Sequence, residues 1–285
     1  MTAEDPPDDV TAPDHAAAVA AAQHAGHPRG HDYDKGSPHL RHASLRTVVE
    51  GRLRRLVGEQ IAARESCRVL EVGAGHGTFT RCLLDAGAAV TVTEASADSA
   101  AYLRAQFAGS GDVEVIHDAS GEQILGSEGT WDLAVMTSVL HHIPDYLSFL
   151  DRLSVLIAPG GALFTVQDPL YYPNMPRFAH VAERGAYFSW RVTQGDVLRG
   201  ARAQVRRRRG RYDDSDPSDL VEYHVVRKGV DERAIAELLS SRFADVDVFT
   251  YWSSQAPVWQ WLGERTSIQT HFGVEARGRL PHEVA

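Results

Sequence analysis

From Ser44 onward, apolar residues recur on one helical face. Leu45, Val48, Val49, Leu53, Leu56, Val57 and Ile61 fall at offsets 0, 3, 4, 8, 11, 12 and 16, the spacing of a helix with a single buried stripe. Short apolar runs then alternate with stretches of helical period. The strands expected are Arg68–Val72, Ala89–Thr93, Val113–His117, Asp132–Met136 and Ala162–Val166. Helices are expected from about Thr78, over Ala97–Phe107, and from Pro144 through Leu147, Leu150, Leu153 and Ile157. Proline suits a first helical turn, and Pro159-Gly160-Gly161 is expected to stop that last helix. Such alternation predicts an α/β protein with a doubly wound, mostly parallel sheet, and right-handed crossovers gather the loops after the strands at one rim.

The alternation fails between residues 169 and 230, where Tyr171, Tyr172, Tyr187, Phe188, Trp190, Tyr212 and Tyr223 stand among many arginines. So long a stretch exceeds any strand-to-helix loop and predicts an inserted cap. Regular pattern resumes with a helix over Asp231–Ser241 and strands over Val246–Tyr251 and Ile268–Ala276, seven strands in all. Residues 1–35 are rich in Ala, Asp, Pro, His and Gly without apolar period, the composition of a disordered tail. Four parts result: the tail (1–35), a core with an N-terminal lid helix (36–168), the cap (169–230) and completion of the core by a C-terminal hairpin (231–285).

The chemistry is concentrated where the first strand ends. Val69-Leu70-Glu71-Val72 runs into Gly73-Ala74-Gly75-His76-Gly77 and then a helix. Glycines at such a turn admit positive φ and let a ligand lie on the main chain. The dinucleotide fingerprint G-x-G-x-x-G would place its third glycine at Thr78, so this G-x-G-x-G loop departs from it. An acid, Glu94, ends the second strand about 20 residues on, where it can accept from both ribose hydroxyls of a nucleoside. A solvated acid at a helix start, with Ser96 as N-cap, is the competing use. Asp118 ends the third strand and is also placed to cap a helix.

Together with Met136-Thr137-Ser138-Val139-Leu140-His141-His142-Ile143-Pro144-Asp145, these loops closely resemble the class I S-adenosylmethionine-dependent methyltransferases of small-molecule type. The resemblance covers roughly residues 65–168 and the closing hairpin. It implies a Rossmann-like methyltransferase fold with S-adenosyl-L-methionine as cofactor. On that resemblance Glu71, Gly73, Ala74, Gly75 and Gly77 wrap the methionine and ribose parts, Glu94 and Ala95 meet the ribose, and Asp118 and Ala119 the adenine. Thr137 passes beside the methionine portion. The stretch His31–His42 resembles the access lid of small-molecule members, with Tyr33 or His39 over the cofactor carboxylate; its polar composition also suits an exposed linker.

Methyl transfer to a hydroxyl requires loss of a proton, and histidine serves that role near pH 7. His142 is the first candidate, then His141, at the mouth of the fourth strand; Asp168 ends the fifth. Paired histidines there also occur where they only pack. His224, in an apolar stretch of the cap, reads more readily as structural. The cap's aromatics suit a flat or apolar acceptor, and Trp252, Trp259 and Trp261 offer a further wall. The expected activity is methylation of a hydroxyl on an aromatic or polyketide-like natural product. N- or C-methylation, or a cyclase holding the cofactor structurally, are the alternatives.

Composition trims the remaining classes. The 285 residues carry a net charge of −9, which argues against nucleic acid or an anionic membrane as partner. The Arg202–Arg211 patch is followed by Asp213, Asp214, Asp216 and Asp219, which offset its field. Cys67 and Cys82 read as core residues of a reducing compartment, and no Cys/His spacing fits zinc. No apolar run spans a membrane and no basic-then-apolar leader opens the sequence, so a cytoplasmic enzyme with a small-molecule substrate is expected. A homodimer is left open.

Overall fold

A computed structural model describes residues 37–193 and 229–281. The elements are α1 (Pro38–Arg41), α2 (Ala43–Arg64), β1 (Arg68–Val72), α3 (Thr78–Asp85), β2 (Ala89–Glu94), α4 (Ala97–Gln106), β3 (Val113–His117), α5 (Glu122–Leu125) and β4 (Trp131–Thr137). After a 3₁₀ turn at Leu140–His142 come α6 (Tyr146–Val155), β5 (Ile157–Pro169), α7 (Arg177–Thr193), α8 (Glu232–Ser240), β6 (Phe243–Tyr251), α9 (Pro257–Gly263) and β7 (His271–Arg279). The strands form one sheet in the order β3-β2-β1-β4-β5-β7-β6. β1 to β5 pair parallel, while β7 lies antiparallel between β5 and β6.

Alternation along the strands sends side chains to two apolar layers. On one face Val69, Val90, Leu133 and Phe164 pack with Val49, Leu53 and Leu56 of α2, Phe79 and Leu83 of α3, and Leu103 of α4. On the other, Leu70, Met136 and Leu163 meet Leu150 and Leu153 of α6 and Ile235 and Leu239 of α8. Cys67 and Cys82 are both buried free thiols. The α2 stripe holds except at Val48, which is 49% exposed.

Two local expectations are corrected. Pro144 does not open α6: Asp145 is its N-cap, its carboxylate accepting from Ser148 N at 3.0 Å. Pro159-Gly160-Gly161 does not end a helix either. It lies inside β5, where Trp131 pairs with Ile157 and Leu133 with Ala162 around an irregularity, Gly160 at φ +78°. A Cβ on Gly161 would stand 2.7 Å from the Asp132 carbonyl, so glycine is required by strand contact. β5 is therefore Ile157–Pro169 where Ala162–Val166 was expected, and β7 is His271–Arg279 where Ile268–Ala276 was expected. Tyr33, the Arg202–Arg211 patch, the aspartates after it and Tyr223-His224 lie outside the described residues. No helix among the described residues is long and apolar enough to cross a membrane.

Candidate active site

The parallel strands end at one rim, and the glycine loop turns there. Gly73, Gly75 and Gly77 have φ of +71°, +56° and +79°, a region side chains rarely enter. Space is short as well: a Cβ on Gly73 would lie 2.7 Å from Val139 Cγ2 and one on Gly77 2.8 Å from Phe107 Cε2. Gly77 heads α3. The amide of Gly75 donates to Glu94 Oε2 at 2.9 Å, so the carboxylate ending β2 braces the loop after β1. Glu94 is buried, and Ser96 caps α4 by accepting from Ser99 N at 3.3 Å. The N-cap role foreseen for Ser96 is therefore present, whereas Glu94 is not the solvated acid of that reading. Ala95 follows it, its carbonyl 3.2 Å from His117 Nε2.

The loop forms one wall of a cleft of about 230 Å³. Glu71, Gly73, Ala74, Gly75, Thr137, His142 and His39 all line it, so residues chosen from three separate stretches of sequence meet there. Glu71 is buried and accepts from Thr80 Oγ1 at 2.5 Å. Burial, and next the nearby Glu94 charge, push its carboxyl up to about 7 despite that bond. α1 brings in His39, stacked on Phe79 with centroids 5.9 Å apart. Burial, then the neighbouring His141, lower the His39 imidazole to about 3. Two buried polar atoms of this wall, His39 Nδ1 and Thr137 Oγ1, have no hydrogen-bond partner among the described residues.

Asp118 and Ala119 sit at the tip of β3, outside that lining. The Asp118 carboxylate accepts from Gly121 N at 2.9 Å and Ile124 N at 2.8 Å, holding the turn into α5. Its helix-capping role is thus observed directly.

The remaining chemistry lies beyond the tips of β4 and β5. His141 Nδ1 is 2.8 Å from Asp168 Oδ1, which also accepts from the His141 amide at 3.1 Å. Asp168 is fully buried, and its Oδ2 accepts from Thr165 Oγ1 at 3.2 Å. The Asp168 carboxylate has no proton to donate, so the ring nitrogen facing it is the donor and, in the neutral ring, the lone pair lies on Nε2. His142 packs on His141 with ring centroids 4.0 Å apart.

Three neighbours escaped the sequence reading: Gln167, Tyr251 and His271. The Tyr251 hydroxyl donates to Gln167 Oε1 at 3.1 Å, and Gln167 Nε2 to Ser253 Oγ at 2.7 Å. His271 Nδ1 stands 3.0 Å from Thr270 Oγ1; burial, then His141 and His39, lower this imidazole to about 3. A signal for them existed, since β6 runs with β5 and β7 against it, so the end of β6 and the start of β7 reach the same rim. Trp252, expected in a wall, is buried against Gly263, and Trp261 is exposed.

A model of the family described as "Methyltransferase domain" matches residues 41–206. The ubiquinone biosynthesis O-methyltransferase of Aromatoleum aromaticum is 32% identical over 98 residues, 34% of this chain and 42% of that protein. Its counterpart from Azotobacter vinelandii is 33% identical over 99 residues, 34% of this chain and again 42% of the relative. The chain therefore spans less than half the length of these curated relatives. The solved plantazolicin methyltransferase BpumL, in complex with SAH, superposes with a TM-score of 0.53 at 9% identity, over 93% of this chain and 97% of that one. The two agree in fold. With the family match spanning more than half of its residues, the chain belongs to the methyltransferase-domain family.

Proposed function

We propose that this protein transfers the methyl group of S-adenosyl-L-methionine to a hydroxyl of a small aromatic or polyketide-like metabolite. The observation that carries the proposal is the His141–Asp168 pair, set at the strand tips next to the glycine-loop cleft. The relatives named as ubiquinone O-methyltransferases favour oxygen as the acceptor atom.

The cleft suits a cationic adenosyl ligand. Glu71 and Glu94 supply carboxyl groups around the loop, and His39 Nδ1 and Thr137 Oγ1 are polar atoms without a hydrogen-bond partner among the described residues. The Gly73–Gly77 loop, Glu71, Thr137, His142 and His39 would hold the methionyl part and Glu94 the ribose. Asp118 and Ala119 stand at the next strand tip for the adenine, and Tyr33, outside the described residues, stays with the lid. Bound there, the cofactor supplies an electrophilic methyl on a sulfonium. The chain's own work is to orient the acceptor and remove its proton. With Nδ1–H donating to Asp168, His141 offers Nε2 to the acceptor hydroxyl, and Asp168 fixes the ring and balances the imidazolium that results. His142 contributes to the cofactor wall. His141 is taken as the base ahead of His142 because its ring bonds the Asp168 carboxylate. Residues 36–168 and 231–285 would form the cofactor core, and 169–230 the cover of the acceptor.

Calorimetric titration with S-adenosylhomocysteine, then mass-spectrometric screening of phenols such as 3,4-dihydroxybenzoate, tests the proposal. Gly75→Val forces a branched side chain into a left-handed loop and should weaken S-adenosylhomocysteine at least about 100-fold. His141→Gln should lower kcat by about 10²–10³ with S-adenosylhomocysteine affinity intact. Unchanged turnover in that variant would remove His141 from the mechanism.

A further inference from the structure

β5 breaks its pleat at one residue. Val166 faces Gly273 and Asp168 faces Phe272 across the β5–β7 pairing, so Gln167 is an extra residue on the β5 side. Its φ is +72°, and it is one of three described non-glycine residues with positive φ. Before this point Phe164 and Val166 join the α2–α4 layer and Leu163 the α6–α8 layer. Strict alternation would send residue 168 the way of Phe164 and Val166. Asp168 instead bonds Thr165, of the opposite parity, and His141. Gln167 is held the other way: it accepts from Tyr251, which packs on the α2–α4 layer, and donates to Ser253. Strained backbone persists only where surrounding contacts fix it, and here two side-chain bonds from the β6 end do so.

We propose that Gln167 is a positioning residue: its left-handed turn, clamped by Tyr251 and Ser253, presents Asp168 to His141. This rests on the assignment of the His141–Asp168 pair above. Without the bulge the carboxylate would leave the His141 side of the sheet, and the ring would lose the acceptor that keeps its proton on Nδ1. Gln167 touches neither cofactor nor acceptor in this scheme and acts only through Asp168.

The tautomer of His141 reports this directly and needs no acceptor. Long-range ¹H–¹⁵N spectra of the full chain, saturated with S-adenosylhomocysteine, identify the protonated ring nitrogen, the signal being assigned by its loss in His141→Gln. Wild type should show Nδ1–H. Gln167→Val disfavours the left-handed turn and removes both bonds; it should drop that form below half while S-adenosylhomocysteine affinity stays within about threefold. Full retention of the Nδ1–H form in Gln167→Val overturns the proposal. Asp168→Ala separates the two ideas: if it too retains Nδ1–H, the pair itself is refuted, whereas retention in Gln167→Val alone refutes only the positioning. Should Gln167→Val fail to fold, the double variant Tyr251→Phe, Ser253→Ala opens the clamp from outside β5. It is expected to lose Nδ1–H in more than half of the molecules, and full retention overturns the proposal.

Discussion

Glu71 shows how much one side chain can set. It is buried on the cleft wall beside a second acid, and its carboxyl lies at about 7 instead of its ordinary 4.5. A cationic ligand interacts best with the ionised form, so affinity should rise as pH climbs toward 7 and level off above it. For S-adenosylhomocysteine, with its cationic amino end, we expect a gain of up to about tenfold per pH unit between 5.5 and 7. Glu71→Gln should flatten that profile in calorimetric titrations; an unchanged slope would remove Glu71 from the binding site. Residues of this kind were legible in sequence because each is a polar group at a strand end. Gln167, Tyr251 and His271 were not. Their roles depend on a bulge and on antiparallel neighbours, and neither leaves a mark in apolar periodicity. Asp118 was legible as a strand-end acid, and the structure adds the turn it holds through Gly121 N and Ile124 N.

Among the described elements, α2 and β7 meet through a cluster of charges. Glu275 of β7 is fully buried and takes Arg52, Arg55 (Nη2 to Oε2, 2.6 Å) and Arg277 together, while Arg52 also lies 3.5 Å over the Phe249 ring. Removing one member of a buried ionic cluster leaves the others unmatched. Glu275→Ala should therefore cost about 3 kcal/mol in urea unfolding, the low end for buried pairs because the arginines keep some solvent. Affinity for S-adenosylhomocysteine should stay near wild type, since the cluster does not touch the cleft. The first and third strands, Arg68–Val72 and Val113–His117, matched their expected bounds because each is a compact apolar run with turn residues on both sides. Pro159-Gly160-Gly161 misled for a physical reason. Proline and glycine mark interruptions without saying whether a helix stops or a strand bulges, and the partner Trp131 decides.

At the scale of the molecule, histidines from opposite ends of the chain meet at the sheet rim. His39 and His271 are both held near 3 against an ordinary 6.5, so the folded form keeps them neutral where the unfolded chain protonates them. Their contribution is complete above pH 6.5 and is lost as pH falls toward 3. Glu71 works in reverse: its contribution is complete below 4.5 and is lost as pH rises through 7. Glu183, likewise raised to about 7 by burial, works in the same sense as Glu71, so imidazoles and carboxyls pull Tm in opposite directions on acidification from pH 7 to 4.5. His39→Phe takes one imidazole out of that balance, so its Tm should fall less, or rise more, than wild type over the same range in a calorimetric scan series, and an identical pH dependence would show that His39 is not buried neutral. The strand succession was readable from sequence, whereas the helix α7 in the stretch after β5 was not foreseen, because no strand–helix alternation frames it there. The position of β7 has a consequence for biogenesis. Among the described strands β6 pairs with β7 alone, so on the ribosome a nascent chain that has emerged only through β6 has nowhere to seat that strand. The inner border of β5 then stays bare, a site for mispairing, until the final hairpin arm is translated and slots between them.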